Sequence, residues 1–178
     1  MAEQLKNMSS ILKNGNIVTI DFFSSEVGIE IKFCHDAIKD MQQFQQKPGM
    51  REAGGLLFST LLHPNTIEIS KITTPTWLDI RFASRFIINK RRAQKTINKY
   101  FNSKLHYVGD WHTHTEVFPR PSGIDISTIV DLYQKSDHQL LYFLLVILSS
   151  SPDFTKSYVA LVNRNNIYKC VYKKDQGR

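Results

Sequence analysis

The chain has 178 residues, 42% hydrophobic and 22% charged, proportions of one soluble globular domain large enough to enclose a core. No apolar run approaches the roughly 18–20 residues of a membrane-spanning helix, and the polar stretch from Met1 to Asn16 lacks the apolar segment of a secretory leader, so a cytoplasmic protein is expected. The net charge of +7 is local: residues 81–104 carry Arg81, Arg85, Lys90, Arg91, Arg92, Lys95, Lys99 and Lys104 and no acid, which leaves −1 for the rest of the chain.

In chain order, residues 1–16 read as a flexible N-terminal arm and residues 17–178 as a single domain. Short strands are expected over Ile17–Phe23 and Val27–Phe33, turning near Ser24-Ser25. A helix from Cys34 to about Gln46 is stopped by Pro48-Gly49. Glu52 to Ser59 reads as a strand opened by Gly54 and Gly55, and Thr66–Ile72 alternates as a half-buried strand should. After a loop holding Pro75 and Trp77, the apolar spacing predicts a helix over 87–101 with its cations outside. Leu105–Trp111 is a strand, Ser122 to Lys135 a helix with the stripe Ile126, Ile129, Val130 and Tyr133, and Leu140–Ser149, Ser157–Val162 and Ile167–Tyr172 are further strands. Such an order gives an α+β domain, or a three-layer α/β/α one, around a central sheet. Cys34 and Cys170 match no metal-binding spacing and read as reduced residues without a functional role.

Chemistry concentrates at His112-Thr113-His114. Two histidines one residue apart on an extended backbone project from the same face of a strand. Pro119, Pro121 and Gly123 mark a loop after them, and Asp125 then falls in the first turn of a helix, folded back toward the strand end. Two imidazoles and a carboxylate that leave a fourth position open are the ligand set of a catalytic zinc ion, not a structural one. Ser122 and Asp125 also form a helix-capping pair, a reading compatible with a site at the helix terminus. A hydrolase of this kind needs a base near the metal but not bound to it. Glu52 beside its glycines is one candidate; Glu26, Glu30, Glu68 and Glu116 are others.

The pattern Glu52, Gly54-Gly55-Leu56-Leu57, Gly109-Asp110-Trp111-His112-Thr113-His114 and Pro121-Ser122-Gly123-Ile124-Asp125 resembles the JAB/MPN/Mov34 (JAMM) metallopeptidases, whose signature is an upstream Glu and His-x-His-x(10)-Asp with a Ser three positions before the Asp. The resemblance implies a cytidine-deaminase-like three-layer fold around a mixed sheet. It implies one zinc ion bound by His112, His114 and Asp125 with a water as nucleophile, Glu52 as general base and then acid, and Ser122 stabilising the oxyanion. It further implies cleavage of a peptide or isopeptide bond after the C-terminal tail of a ubiquitin-like or similarly conjugated protein. Within the family the wording is most similar to the prokaryotic JAB group, in particular to the deconjugating peptidases of bacterial antiphage operons. Those work beside ubiquitin-activating and ubiquitin-conjugating-like partners, including in systems that modify cyclic-nucleotide synthases. Thr115 stands where the family commonly has proline, and Gly123 where it often has a polar residue; neither is a ligand.

The basic segment 85–104 supports a rival reading, a non-catalytic module that docks an acidic protein. A nucleic-acid partner is disfavoured, because no recognised module accompanies the cations and aromatic residues are sparse among them. No membrane association is expected. Trp77, an aromatic on a loop, is a candidate for lining a substrate groove.

Overall fold

The computed structural model describes residues 19–174; the expected N-terminal arm lies outside them. The elements in order are β1 (Thr19–Ser24), β2 (Ile29–Cys34), α1 (His35–Gln42), β3 (Gly54–His63), β4 (Thr66–Ile72), β5 (Ile80–Phe82), β6 (Arg85–Ile87), α2 (Lys90–Phe101), β7 (His106–Thr113), α3 (Gly123–Lys135), β8 (Phe143–Leu148), β9 (Tyr158–Val162) and β10 (Ile167–Tyr172). The α+β content is as expected. The sheet, expected as the middle of three layers, instead closes into a barrel in the order β1-β10-β9-β8-β7-β3-β4-β2. Closure has a simple cause: the β1–β2 hairpin reaches both edges, β1 pairing with β10 (Phe22 opposite Tyr172) and β2 running parallel to β4 (Ile31 opposite Ile67).

Alternation then sorts side chains into an inside and an outside. Residues of all eight barrel strands, among them Phe22, Phe33, Leu57, Ile69, Trp111, Val146, Leu161 and Cys170, form the interior cluster, which Ala37, Ile38 and Met41 of α1 complete. Phe22, Phe33 and Phe154 meet edge to face inside it, with centroids 5.0–6.0 Å apart. Outside, Ile129 of α3 covers Phe143, Leu145 and Ile147, and Ala93 of α2 covers Leu56 and Phe58. β8 is therefore buried on both faces, which explains its unbroken apolar run. Each such large side chain stabilises the fold by about 1.5–3 kcal/mol on burial.

Both helices before β7 differ from the sequence reading, and a hairpin precedes the second. α1 ends at Gln42, and the chain continues through a turn to Pro48-Gly49. The helix expected over 87–101 starts later and the basic segment 85–104 is divided: Arg85 belongs to a small β5–β6 hairpin, α2 spans Lys90–Phe101, and Lys104 follows it with a positive φ of 60°. Arg92 of α2 is paired with Asp79 at 3.0 Å, whereas Lys90, Arg91, Lys95 and Lys99 stay exposed. No helix among the described residues is long and apolar enough to cross a membrane.

Strand β7 is irregular just before its histidines. The register against β3 shifts between Leu57, opposite Gly109, and Phe58, opposite Tyr107. Gly109 has φ of 149°, and a Cβ there would stand 2.0 Å from Leu144 O. The bulge lets Tyr107 face outward and Val108 inward, while Asp110 and His112 beyond it share the outer face. Gly109→Ala is expected to cost about 3 kcal/mol or more, read as a lower midpoint in urea unfolding; an unchanged midpoint would show that the bulge does not need glycine.

Candidate metal centre

The site forms where the C-terminal end of β7 meets the N-terminus of α3. His112 is the penultimate residue of β7, with Trp111 and Thr113 pointing into the barrel on either side of it and His114 following just past the strand. The two imidazoles share the outer face with centroids 5.0 Å apart, as the His-x-His spacing requires. Trp111, the neighbour of the first histidine, faces the interior, where its Nε1 donates to Thr73 O at 2.9 Å.

Helix α3 brings the carboxylate. Ser122 is its N-cap: Ser122 Oγ accepts from Asp125 N at 3.2 Å, and Asp125 Oδ2 accepts from Ser122 N at 2.7 Å, a complete capping box. The same carboxylate faces the histidines, with Oδ1 at 3.3 Å from His112 Nε2 and Oδ2 at 3.6 Å from His114 Nε2. The cap and the site are thus one arrangement. Ligand atoms of His112, His114 and Asp125 lie within 4.8 Å of one another, close enough for all three to hold a metal ion. His112 Nε2 is buried and makes no aligned hydrogen bond among the described residues, the condition of a lone pair kept for a cation. Donor chemistry and geometry both fit zinc.

Glu52 arrives from the other side. It precedes β3, whose Gly54 sits opposite His112 in the β3–β7 register. Glycine is needed there, since a Cβ on Gly54 would come within 2.6 Å of Trp111 O and one on Gly55 within 2.0 Å of Thr73 O. The Glu52 backbone is held on both sides by β5, its N–H donating to Phe82 O at 2.8 Å and its carbonyl accepting from Arg81 Nε at 2.6 Å. Its side chain is buried, with Oε1 at 3.9 Å from His114 Nε2. Among the glutamates open at the sequence level, Glu116 also reaches the site, but only at the outer edge of His114, Oε2 to Nδ1 at 3.3 Å.

Electrostatics separates the two carboxyl groups. Burial pushes Glu52 up to about 7; the nearby His112 opposes this and Asp125 adds to it. Burial works on Asp125 in the same upward direction, yet the adjacent His112 imidazole and its hydrogen bonds with Ser122 hold it far below the usual carboxylate range. His114 is lowered by burial and by the neighbouring His112. Two residues before His112, half-buried Asp110 is raised to about 6 by desolvation, against the hydrogen bond that Tyr107 Oη donates to it at 2.9 Å.

All five residues singled out from the sequence are therefore brought together. What the sequence did not mark is the support: Thr113 between the two histidines, Gln46 bonded to it, and the β5–β6 hairpin against Glu52. Trp77, 90% exposed, lies on the loop before that hairpin, beside exposed Leu78, Ile80 and Phe82. Thr115 is exposed, and Gly123 opens α3 with nothing within 4 Å of a Cβ.

Comparison with known proteins places this arrangement in a family. A model of the prokaryotic homologs of the JAB domain matches residues 35–160, a span that includes Glu52, both histidines, Ser122 and Asp125. A protein of Enterobacter hormaechei named CD-NTase/cGAS isopeptidase is 29% identical over 143 residues, 79% of this chain and 79% of its own. One of the same name from Escherichia coli is 34% identical over 118 residues, covering 64% and 72% of the two chains, and one from Pseudomonas aeruginosa is 33% identical over 91 residues, 48% and 56%. A solution structure of a Desulfitobacterium hafniense protein shares the fold at a TM-score of 0.59 and 16% identity, over 78% of this chain and 88% of that one.

The raised Glu52 has a consequence for stability. A carboxyl group whose pKa rises from 4.5 unfolded to about 7 folded binds more protons in the folded state between those values, so its contribution falls as pH rises through that window. Lowered His114 acts in the opposite sense, which makes a paired comparison necessary. With a chelator present, Glu52→Gln is expected to gain on wild type between pH 5 and pH 7 by an amount on the order of 2 kcal/mol, measured by urea unfolding across that range. Parallel pH curves for the two proteins would show that the carboxyl group is not desolvated.

Proposed function

The chain belongs to the family of prokaryotic homologs of the JAB domain, and we propose that it is a zinc-dependent isopeptidase that cuts the peptide or isopeptide bond after the C-terminal tail of a conjugated protein. The observation that carries this reading is the convergence of His112, His114 and Asp125 ligand atoms within 4.8 Å, with the Glu52 carboxyl group 3.9 Å from His114. Three relatives named CD-NTase/cGAS isopeptidase support a conjugated CD-NTase as the substrate class, and the reading places the reaction in bacterial antiphage defence. Activating and conjugating enzymes of the same system are the partners such a substrate would need.

His112, His114 and Asp125 would hold the zinc ion. When bound, zinc supplies Lewis-acid polarisation of the scissile carbonyl and lowers the pKa of a coordinated water. Glu52 takes the attacking water's proton at a carboxylate oxygen and returns it to the nitrogen of the leaving amine. A pKa near neutrality suits both halves of that transfer, and the position of Glu52 next to the ligands, held by β5, leaves it out of the ligand set. Ser122 Oγ uses a lone pair to cap α3, which leaves its O–H to donate to the oxygen that gains charge; such a donor contributes about 2.7–4 kcal/mol. Asp125, tied to Ser122 N–H, is kept ionised and aimed.

Elemental analysis is expected to find one zinc per wild-type chain and none in His112→Ala or Asp125→Ala. Glu52→Gln should retain the metal while cleavage of a CD-NTase tail fused to a reporter protein falls by roughly 10²–10⁴. Full cleavage by Glu52→Gln, or a wild type that holds no zinc after reconstitution, would overturn the reading.

A further inference from the structure

Gln46 lies in the turn after α1 and is 1% exposed, a burial that a loop glutamine does not require. Its amide is fully engaged: Nε2 donates to Met50 O at 3.0 Å and to Ala83 O at 2.8 Å, and Oε1 accepts from Thr113 Oγ1 at 3.2 Å. Thr113 passes the connection on, since its hydroxyl accepts from Ala53 N at 2.9 Å and its own N–H donates to Ala53 O at 2.9 Å. Three segments meet at this one side chain. They are the loop that carries Glu52, the tip of the β5–β6 hairpin that clasps the Glu52 backbone, and the strand between the two histidines.

We propose that Gln46 is a positioning residue, which fixes the Glu52 carboxyl group against His112 and His114 by joining those three segments; the kinetic part of this rests on the isopeptidase reading above. The physical basis is the stiffness of a fully satisfied buried network. Removal of the amide takes away the one side chain that ties the exposed Met50 and Ala83 carbonyls to Thr113, so the loop and the hairpin tip are free to shift relative to the strand. Movement of about 1 Å at a catalytic group is enough to cost roughly a hundredfold in rate. No bond from Gln46 reaches a ligand atom, so metal binding is untouched.

The test compares wild type with Gln46→Met, which keeps the length and removes donors and acceptor, and with Thr113→Val, which cuts the network at its other end. Zinc content should stay at the wild-type level in both. On the CD-NTase tail–reporter fusion, kcat should fall roughly ten- to a hundredfold with KM within about twofold, and the double variant should lose little more than either single one. A merely structural role would lower the unfolding midpoint and spare kcat in the folded fraction, and that result would overturn the proposal, as would additive losses. Hydrogen exchange at the Ala53 amide supplies a readout without substrate: it should quicken roughly tenfold in Gln46→Met, and wild-type protection there would equally overturn the proposal. Should wild type fail to cleave the fusion, the isopeptidase reading fails, and the exchange result alone decides the role of Gln46.

Discussion

The site depends on one strand pairing. β3 lies antiparallel to β7 with Gly54 opposite His112 and Gly55 opposite Trp111, and this register decides that Glu52, two residues before β3, arrives at the histidines. Slippage by one position would turn Glu52 to the other face, because side chains alternate with period two. Two features prevent slippage. Gly54 and Gly55 sit where a Cβ would collide with backbone oxygens of Trp111 and Thr73, so a one-residue slip would drive the Cβ of Leu56 or, in the other direction, of Ala53 into one of those spaces. Thr113 then fastens the pairing from inside, bonded to Ala53 through both its amide and its hydroxyl.

The fold around that pairing serves two demands at once. Inside, an apolar barrel supplies the stability; outside, α3 must end its approach with its N-terminus beside β7. The parallel β7–β8 pair makes this possible, since a helix crosses between the two strands and starts where β7 stops. Asp125 therefore belongs to the first turn of a helix that the sheet itself positions. The loop between is secured as well: Ser149, wholly buried, donates to Val117 O at 2.6 Å, and Ser150 N donates to Glu116 O at 3.0 Å. A ten-residue excursion from His114 to Asp125 thus returns to a fixed place.

Much of this is legible in the sequence where it is local. The strand face of His112 and His114 follows from their spacing, and the Ser122–Asp125 cap from a motif of four residues. The fold is less so. Barrel closure hangs on Phe22 meeting Tyr172, a contact between chain ends that no local pattern signals. The β5–β6 hairpin has only three residues per strand, too few for periodicity to separate from the loop before it, so Arg85 merges in sequence with the basic helix. Gln46 is invisible for a related reason: its partners lie 4, 37 and 67 residues away, and nothing about an isolated glutamine reports that it will be buried.

The two carboxyl groups show how placement by the fold becomes chemistry. Glu52 and Asp125 begin with similar intrinsic acidity, and burial pushes both upward. Asp125 sits on a helix N-terminus and accepts from the Ser122 amide, both of which favour its anion. The carbonyl of Glu52 accepts from Arg81, but among the described residues its carboxyl group has only the Phe86 backbone as a hydrogen-bond donor, so desolvation wins there. One group is thereby held ionised beside the two histidines, while the other is raised to about 7, where it takes up and releases a proton near neutral pH. Pairs of titratable groups driven apart in this way mark acid–base sites, and here the separation traces to a single capping box on one side and an enclosed loop on the other.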